Sequence, residues 1–427
     1  METTDREQDS RWGDLPRRRT RSDLVVLLVC ALAIFADVVI SGAVIPNIPV
    51  FAERFDADEF SLGLATSGFS IVFLAAVVPF GLAVDRTGRS DLVIALAMLS
   101  AGTAGVLFAF GGSLWTYALA QGFHGAGSAG AWIGAPPLAA HIVERRGRGG
   151  LLMSAITIAL GLGLVIGPLL GSLSPVWLPF VISTAIALAV GVAALWALTG
   201  TAAEPESLTG MYGQLLRNRV ILAAAALVFL LYAGISMMEI LFPLYADSHG
   251  QSKAAIGLLF LFYAVFVTAG QPAMTPLLDR ARRGVLETAA VLVLAAGLAT
   301  LVLTADFGWW IAIFAVLGVA TGVLVGASML IIAVESPHFA RGGAFALWNM
   351  AFAVGFLIGP PVGGGLVQLA PDSASSARFR LPFLAFAAFL ALCAPLVWAT
   401  LRPKAHILEE EMGSGEVDAH ARKQRGG

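Results

Sequence analysis

Two carboxylates stand in stretches that otherwise carry almost no charge. Asp37 lies in DLVVLLVCALAIFADVVISGAVIPNIP (Asp23–Pro49), and Glu239 lies in GISMMEILFPLY (Gly234–Tyr245). The first stretch is apolar and long enough to cross a bilayer as a helix. At about 1.5 Å rise per residue, Asp37 is roughly 20 Å from a start at Leu24, which is mid-bilayer. Glu239 is about 28 Å from a start at Val220, nearer the opposite surface. A carboxylate at the mid-bilayer depth of Asp37 costs about 2.5–3.5 kcal/mol on insertion scales. Such residues face a bundle interior, a water-filled cavity or a partner, and mark ion or substrate pathways. Two chemistries suit them: attraction of a cation, and exchange of that cation for protons. A carboxylate taken out of water can load a proton near neutral pH. Plainer roles also exist. Asp37 can be a protonated acid bonded to a neighbouring helix, and Glu239 an interface residue reaching water. A third titratable group, His124, is three residues beyond Gln121 and so its neighbour on a helix surface. Histidine is the side-chain type suited to exchanging a proton near neutral pH, and the plainer role for it is a neutral ring bonded to a carbonyl.

Aromatic side chains can complete a site of this kind. Trp348, Phe352, Tyr232, Tyr263 and Phe69 can line an adaptable cavity, with cation–π contacts worth about 0.5–2 kcal/mol. Most transmembrane aromatics simply pack or meet lipid. No nucleophile–base pair, metal-ligand cluster or phosphate loop appears, so an enzyme is not expected. Neither is a cofactor or a metal; a proton gradient is the expected energy source. Cys30 and Cys393 fall inside apolar spans and read as packed free thiols.

The elements that must position these groups are membrane helices. Of 427 residues, 58% are hydrophobic and 13% charged, about half the charge of a soluble domain. Apolar runs recur from end to end, giving an all-α polytopic membrane protein. Twelve spans are predicted near 24–49, 61–83, 91–112, 115–141, 149–171, 175–198, 220–246, 254–278, 285–305, 308–335, 341–367 and 379–401. The chain then divides into an N-tail (1–22), a six-helix bundle (23–198), a polar linker (199–219), a second bundle (220–402) and a C-tail (403–427). The arginine-rich N-tail has no apolar core and is not a signal peptide. Twenty-two of the 26 Lys and Arg fall on the side shared by both termini. The positive-inside rule therefore places both termini in the cytoplasm.

The two halves repeat. Gly63 and Asp85 recur as Gly257 and Asp279, 194 residues later, with Arg86 matched by Arg280. Arg148-Gly149-Gly150 recurs as Arg341-Gly342-Gly343. Gly163-x-x-x-Gly167-Pro168-x-x-Gly171 recurs as Gly355-x-x-x-Gly359-Pro360-x-x-Gly363, 192 residues on. Parallel repeats of this kind hold substrate between the halves near the midplane, and work by rocking one half against the other.

Several motifs resemble those of one family. Gly81-Leu82-Ala83-Val84-Asp85-Arg86-Thr87-Gly88-Arg89, after the second span, resembles the signature loop of the major facilitator superfamily. There Asp85 can accept hydrogen bonds from a helix N-terminus or arginine and act as a latch. The glycines and proline of the fifth span resemble the superfamily's antiporter motif; small residues at four-residue spacing let helices approach closely. Gln121-Gly122 resembles the end of its Arg-x-x-Gln-Gly motif, but Ala118 stands where the arginine belongs, which puts the proton route in question. Asp37 ahead of Val-Ile-Pro-Asn-Ile-Pro, and Glu239 four residues ahead of Pro243, resemble the first and seventh helices of vesicular monoamine transporters. The resemblance implies that these acids engage a substrate amine. It also exposes departures. Val325 and Asn349 stand where that group has further acids, and Phe69 where it has a lysine, so monoamine specificity and stoichiometry do not carry over.

The expectation is thus a twelve-helix drug:proton antiporter, exporting lipophilic organic cations by alternating access. It would be a monomer in a prokaryotic plasma membrane, with a small-molecule substrate, protons and the bilayer as partners and no nucleic acid. The alternative is an exporter or facilitator of neutral or acidic metabolites, with the acids moving protons only.

Overall fold

The computed structural model describes residues 23–146, 149–198, 217–278, 284–336, 341–370 and 376–401. The expected tails and most of the expected linker lie outside the described residues. The described chain forms helices and no strands. The first helix, α1, runs Asp23–Val44, a 3-10 turn at Ile45–Asn47, and Ile48–Phe55. It extends beyond the boundary expected at Pro49, because Pro46 and Pro49 sit in the first turns of the new helical segments, where a missing N–H costs nothing. The second, α2, comprises Glu59–Thr66 and Gly68–Thr87. The other ten are α3 (Ser90–Phe110), α4 (Leu114–Arg146), α5 (Gly149–Gly171), α6 (Trp177–Ala197), α7 (Arg219–Ser248), α8 (Lys253–Leu278), α9 (Val285–Leu301), α10 (Phe307–Glu335), α11 (Arg341–Leu369) and α12 (Arg380–Leu401). Among the described residues, nine helices are long and apolar enough to cross a membrane.

Local chemistry sets the ends. Asn218 caps α7 by accepting from the Val220 N–H at 2.9 Å, and Asp306 caps α10 by accepting from the Trp309 N–H at 2.7 Å. Gly88 ends α2 in the left-handed region at φ 63°, a conformation glycine takes without strain.

Helix pairing repeats in the two halves. In the first, α1 packs on α5, α2 on α4, and α3 on both α4 and α6; in the second, α7 packs on α11, α8 on α10, and α9 on both α10 and α12. The motif glycines explain the first of these pairings. A methyl group at Gly167 would lie 2.8 Å from Gly42 Cα, and one at Gly163 2.9 Å from Val38 Cβ. At the equivalent contact, a methyl at Gly355 would lie 2.8 Å from the Phe229 carbonyl oxygen. These approaches are too close for any side chain, so the backbones themselves make the interface.

The halves meet through α2 against α11 and α5 against α8. Gly63 abuts the Pro360 carbonyl, and Gly257 the Pro168 carbonyl. Ser67 Oγ donates to the Leu357 carbonyl at 2.7 Å, Arg378 Nη2 pairs with Glu59 Oε1 at 2.6 Å, and Lys253 Nζ donates to the Leu173 carbonyl at 2.6 Å. All these contacts lie toward the membrane side away from the two ends of the described chain, here the far side.

Candidate functional site

Between the halves is a cavity of about 230 Å³. Every binding residue expected from the sequence lines it: Asp37, Glu239, His124, Gln121, Asn349, Trp348, Phe352, Tyr232, Tyr263 and Phe69. Val325 lines it as well, and no lysine or arginine appears among the described lining residues.

Asp37 is buried on α1 and faces α4. Its Oδ2 accepts from Ser128 Oγ at 3.0 Å and from Trp132 Nε1 at 3.1 Å. His124 Nε2 lies 3.2 Å from Oδ1 and 3.3 Å from the Asp37 backbone oxygen. Hydrogen-bond geometry is met only at the backbone oxygen, so Oδ1 itself accepts none. Asp37 is therefore not the isolated mid-membrane acid that its sequence context suggests; α4 surrounds it with polar partners. His124, Ser128 and Trp132 recur every four residues, which puts them on one helix face. That spacing was visible in the sequence, yet Ser128 and Trp132 were not singled out. Which face of α4 meets α1 is a property of packing.

Gln121 is committed to the neighbouring network. Its amide donates to Tyr117 Oη at 2.8 Å, and Tyr117 Oη lies 3.1 Å from Thr66 Oγ1 of α2. The Phe69 ring sits 5.0 Å from the His124 ring.

The second half supplies the opposite wall. Glu239 of α7 faces the cavity, and no described residue pairs with or hydrogen-bonds its carboxyl. Three polar groups on this wall already have partners. Tyr263 Oη donates to Thr321 Oγ1 at 3.1 Å, Trp348 Nε1 to Ser328 Oγ at 3.0 Å, and Asn349 Nδ2 to the Phe345 carbonyl at 3.0 Å. Gln271, which sequence reasoning passed over, lines the cavity and makes no hydrogen bond with the described residues. Tyr232, Trp348, Phe352 and Phe356 form an aromatic cluster; Tyr232 and Phe352 meet edge to face at 4.7 Å. Phe69 reaches Phe356 at 6.2 Å and Phe73 reaches Phe352 at 6.0 Å, carrying the cluster across to the first half.

The Major Facilitator Superfamily model matches residues 30–252 and 224–423. The chain belongs to the major facilitator superfamily. Within it, the chain is 28% identical over 272 residues to the chromaffin granule amine transporter of Homo sapiens, covering 62% of this chain and 52% of that protein. It is 27% identical over 276 residues to the synaptic vesicular amine transporter of Bos taurus, covering 62% and 53%. The chain thus matches about half the length of these relatives. Among solved structures, the nucleoside transporter NupG aligns with a TM-score of 0.71 at 12% identity, over 88% of this chain and 98% of that one. A bacterial homolog of the human lysosomal transporter Spinster, inward-facing and occupied, aligns at 0.69 and 15%, over 88% and 96%. These structures share the major facilitator fold.

The superfamily's signature segment is only partly described. Arg86 is exposed, Arg89 pairs with Asp91 (Nη2 to Oδ2, 2.9 Å), and a methyl at Gly81 would meet nothing within 4 Å. The Asp85 side chain, and Asp279 and Arg280 of the second copy, lie outside the described residues. The expected glycine packing of the fifth and eleventh helices is seen at Gly163, Gly167, Gly171, Gly355 and Gly359, and Pro168 and Pro360 carry the inter-half contacts.

Proposed function

We propose that this transporter exports lipophilic organic cations in exchange for protons by alternating access. One observation carries the reading. Glu239 faces a cavity without a lysine or arginine among its described lining residues, and no described side chain partners its carboxyl. A carboxylate so placed is incomplete without a cation, either a proton or a substrate. The aromatic cluster suits a lipophilic body around that charge, and the similarity to amine transporters points the same way. The charge asymmetry of the loops supports a reading with both termini in the cytoplasm, and the proposed setting is a monomer in a prokaryotic plasma membrane, with the cavity built within one chain.

The test is uptake of tetraphenylphosphonium, a permanently charged lipophilic cation, into proteoliposomes under an imposed pH gradient. Accumulation should require outward proton movement and collapse with a protonophore. Cation uptake indifferent to the gradient, or none at all, would reject the reading.

A further inference from the structure

We infer that the exchangeable proton is held by Asp37 and His124 together, leaving Glu239 to meet the substrate's charge; this rests on the cation-exporter reading above. The two carboxylates are built differently. Asp37 is buried and already receives Ser128 and Trp132 on Oδ2, so an incoming cation finds that oxygen occupied. Its other oxygen, Oδ1, is buried, accepts no hydrogen bond and lies 3.2 Å from His124 Nε2. A small ring rotation would point a protonated Nε2 at Oδ1 instead of the Asp37 backbone oxygen. A site with an acceptor short of a donor, beside a ring nitrogen, is a place to keep one proton. Glu239 has the opposite character, open to the cavity and without a described partner.

Among the described residues, no other titratable group contacts this pair. α2 presents Phe69 to His124, and the α5 residues lining the cavity are Leu160, Leu164 and Pro168. On α3, Asp91 is engaged with Arg89, and on α4 Tyr117 belongs to the Thr66–Gln121 network. The remaining titratable groups at the cavity, Glu239, Tyr232 and Tyr263, all come from the second half. The pair also bears on two absences in the sequence. Ala118 lacks the guanidinium of the family motif, and Val325 and Asn349 lack carboxylates. His124 supplies a basic group on the same helix as Ala118, six residues further along and beside Asp37.

The step balances with one proton. In the empty site the pair carries imidazolium and carboxylate, with zero net charge. A monocation drawn to Glu239 raises the local potential, and the N–H proton leaves His124 for the solvent. The pair then bears one negative charge against the bound cation. By linkage, cation binding releases a proton and is favoured by higher pH.

The experiment counts protons. Purified transporter in weakly buffered detergent is saturated with tetraphenylphosphonium at several values between about pH 6 and 8, with a pH indicator present. Wild type should release close to one proton per cation bound near the middle of the range. His124→Ala and His124→Gln should release fewer than about a fifth as many at saturation, and their affinity should be nearly flat with pH. Glu239→Gln should need more cation to saturate yet still release close to one proton for each. Wild-type release in both His124 variants, or loss of release at saturation in Glu239→Gln, would overturn the assignment while leaving the cation reading intact. If wild type bound no tetraphenylphosphonium at any pH, the cation reading would fall and the pair's role with it. Two His124 variants of different polarity guard against a packing artefact, and each is compared only if its elution profile matches wild type.

Discussion

Replacing Glu239 by Gln removes one charge and almost no volume, so it isolates electrostatics at the opposite wall. A cation docked about 5 Å from the carboxylate gains roughly 3 kcal/mol at an effective dielectric of 20. Part of that is offset by stripping water from both charges, leaving about 1.5–3 kcal/mol. Tetraphenylphosphonium affinity should therefore fall about 10- to 100-fold. Triphenylphosphine oxide shares three of the rings without the charge, and provides the control. Its affinity should change less than about twofold, because the aromatic cluster around Tyr232 and Phe352 is untouched. Isothermal titration at one pH above neutrality, with both ligands and both proteins, reads all four numbers. Equal losses for the two ligands would mean that the substitution acts through packing. No loss for the cation would mean that Glu239 is not its counter-charge.

Two further substitutions probe the frame around the site. Gly167→Leu should abolish most proteoliposome transport at equal expression and lower thermal stability, since even a methyl there would lie 2.8 Å from Gly42 Cα; wild-type uptake would rule out close packing at that point. Glu59→Gln should loosen the far side, because it removes the charge facing Arg378. The pair is partly exposed, so the effect is about 1 kcal/mol, or about fivefold in the population with that side apart. Spin labels at positions 58 and 251 in a background lacking Cys393 would show it as a longer-distance component, absent from wild type.

Much of this organisation was legible in the chain. Periodic apolar runs and the basic loops gave twelve spans, and the Gly–Pro motif recurring 192 residues on gave the two bundles. The cavity residues were legible because a polar or aromatic group deep in a membrane helix has few tolerable destinations. What escaped depended on helix rotation and on contacts between distant segments. Asp37 looked solitary because Ser128 and Trp132 are 91 and 95 residues away, and nothing in either segment says which faces meet. Glu59 and Arg378 are 319 residues apart and read as ordinary loop-edge charges. The run of α1 to Phe55 was hidden by prolines that punctuate the helix without ending it.

The repeated contact between glycine and a proline carbonyl has a mechanical meaning. Gly63 rests on Pro360, and Gly257 rests on Pro168, so the same joint occurs twice, once in each sense across the interface. Two bearings define an axle. A body resting on two points can tilt about the line between them, but it cannot twist or slide without lifting off one. Glycine keeps each bearing free of side chains that would have to change rotamer as the angle changed. At one bearing the Pro168 carbonyl already accepts from the Ser172 N–H at 3.0 Å, so it needs no donor from across the interface. In the proposed cycle, the polar contacts beside these bearings, Glu59–Arg378, Ser67–Leu357 and Lys253–Leu173, are the ones that have to part when the far side opens.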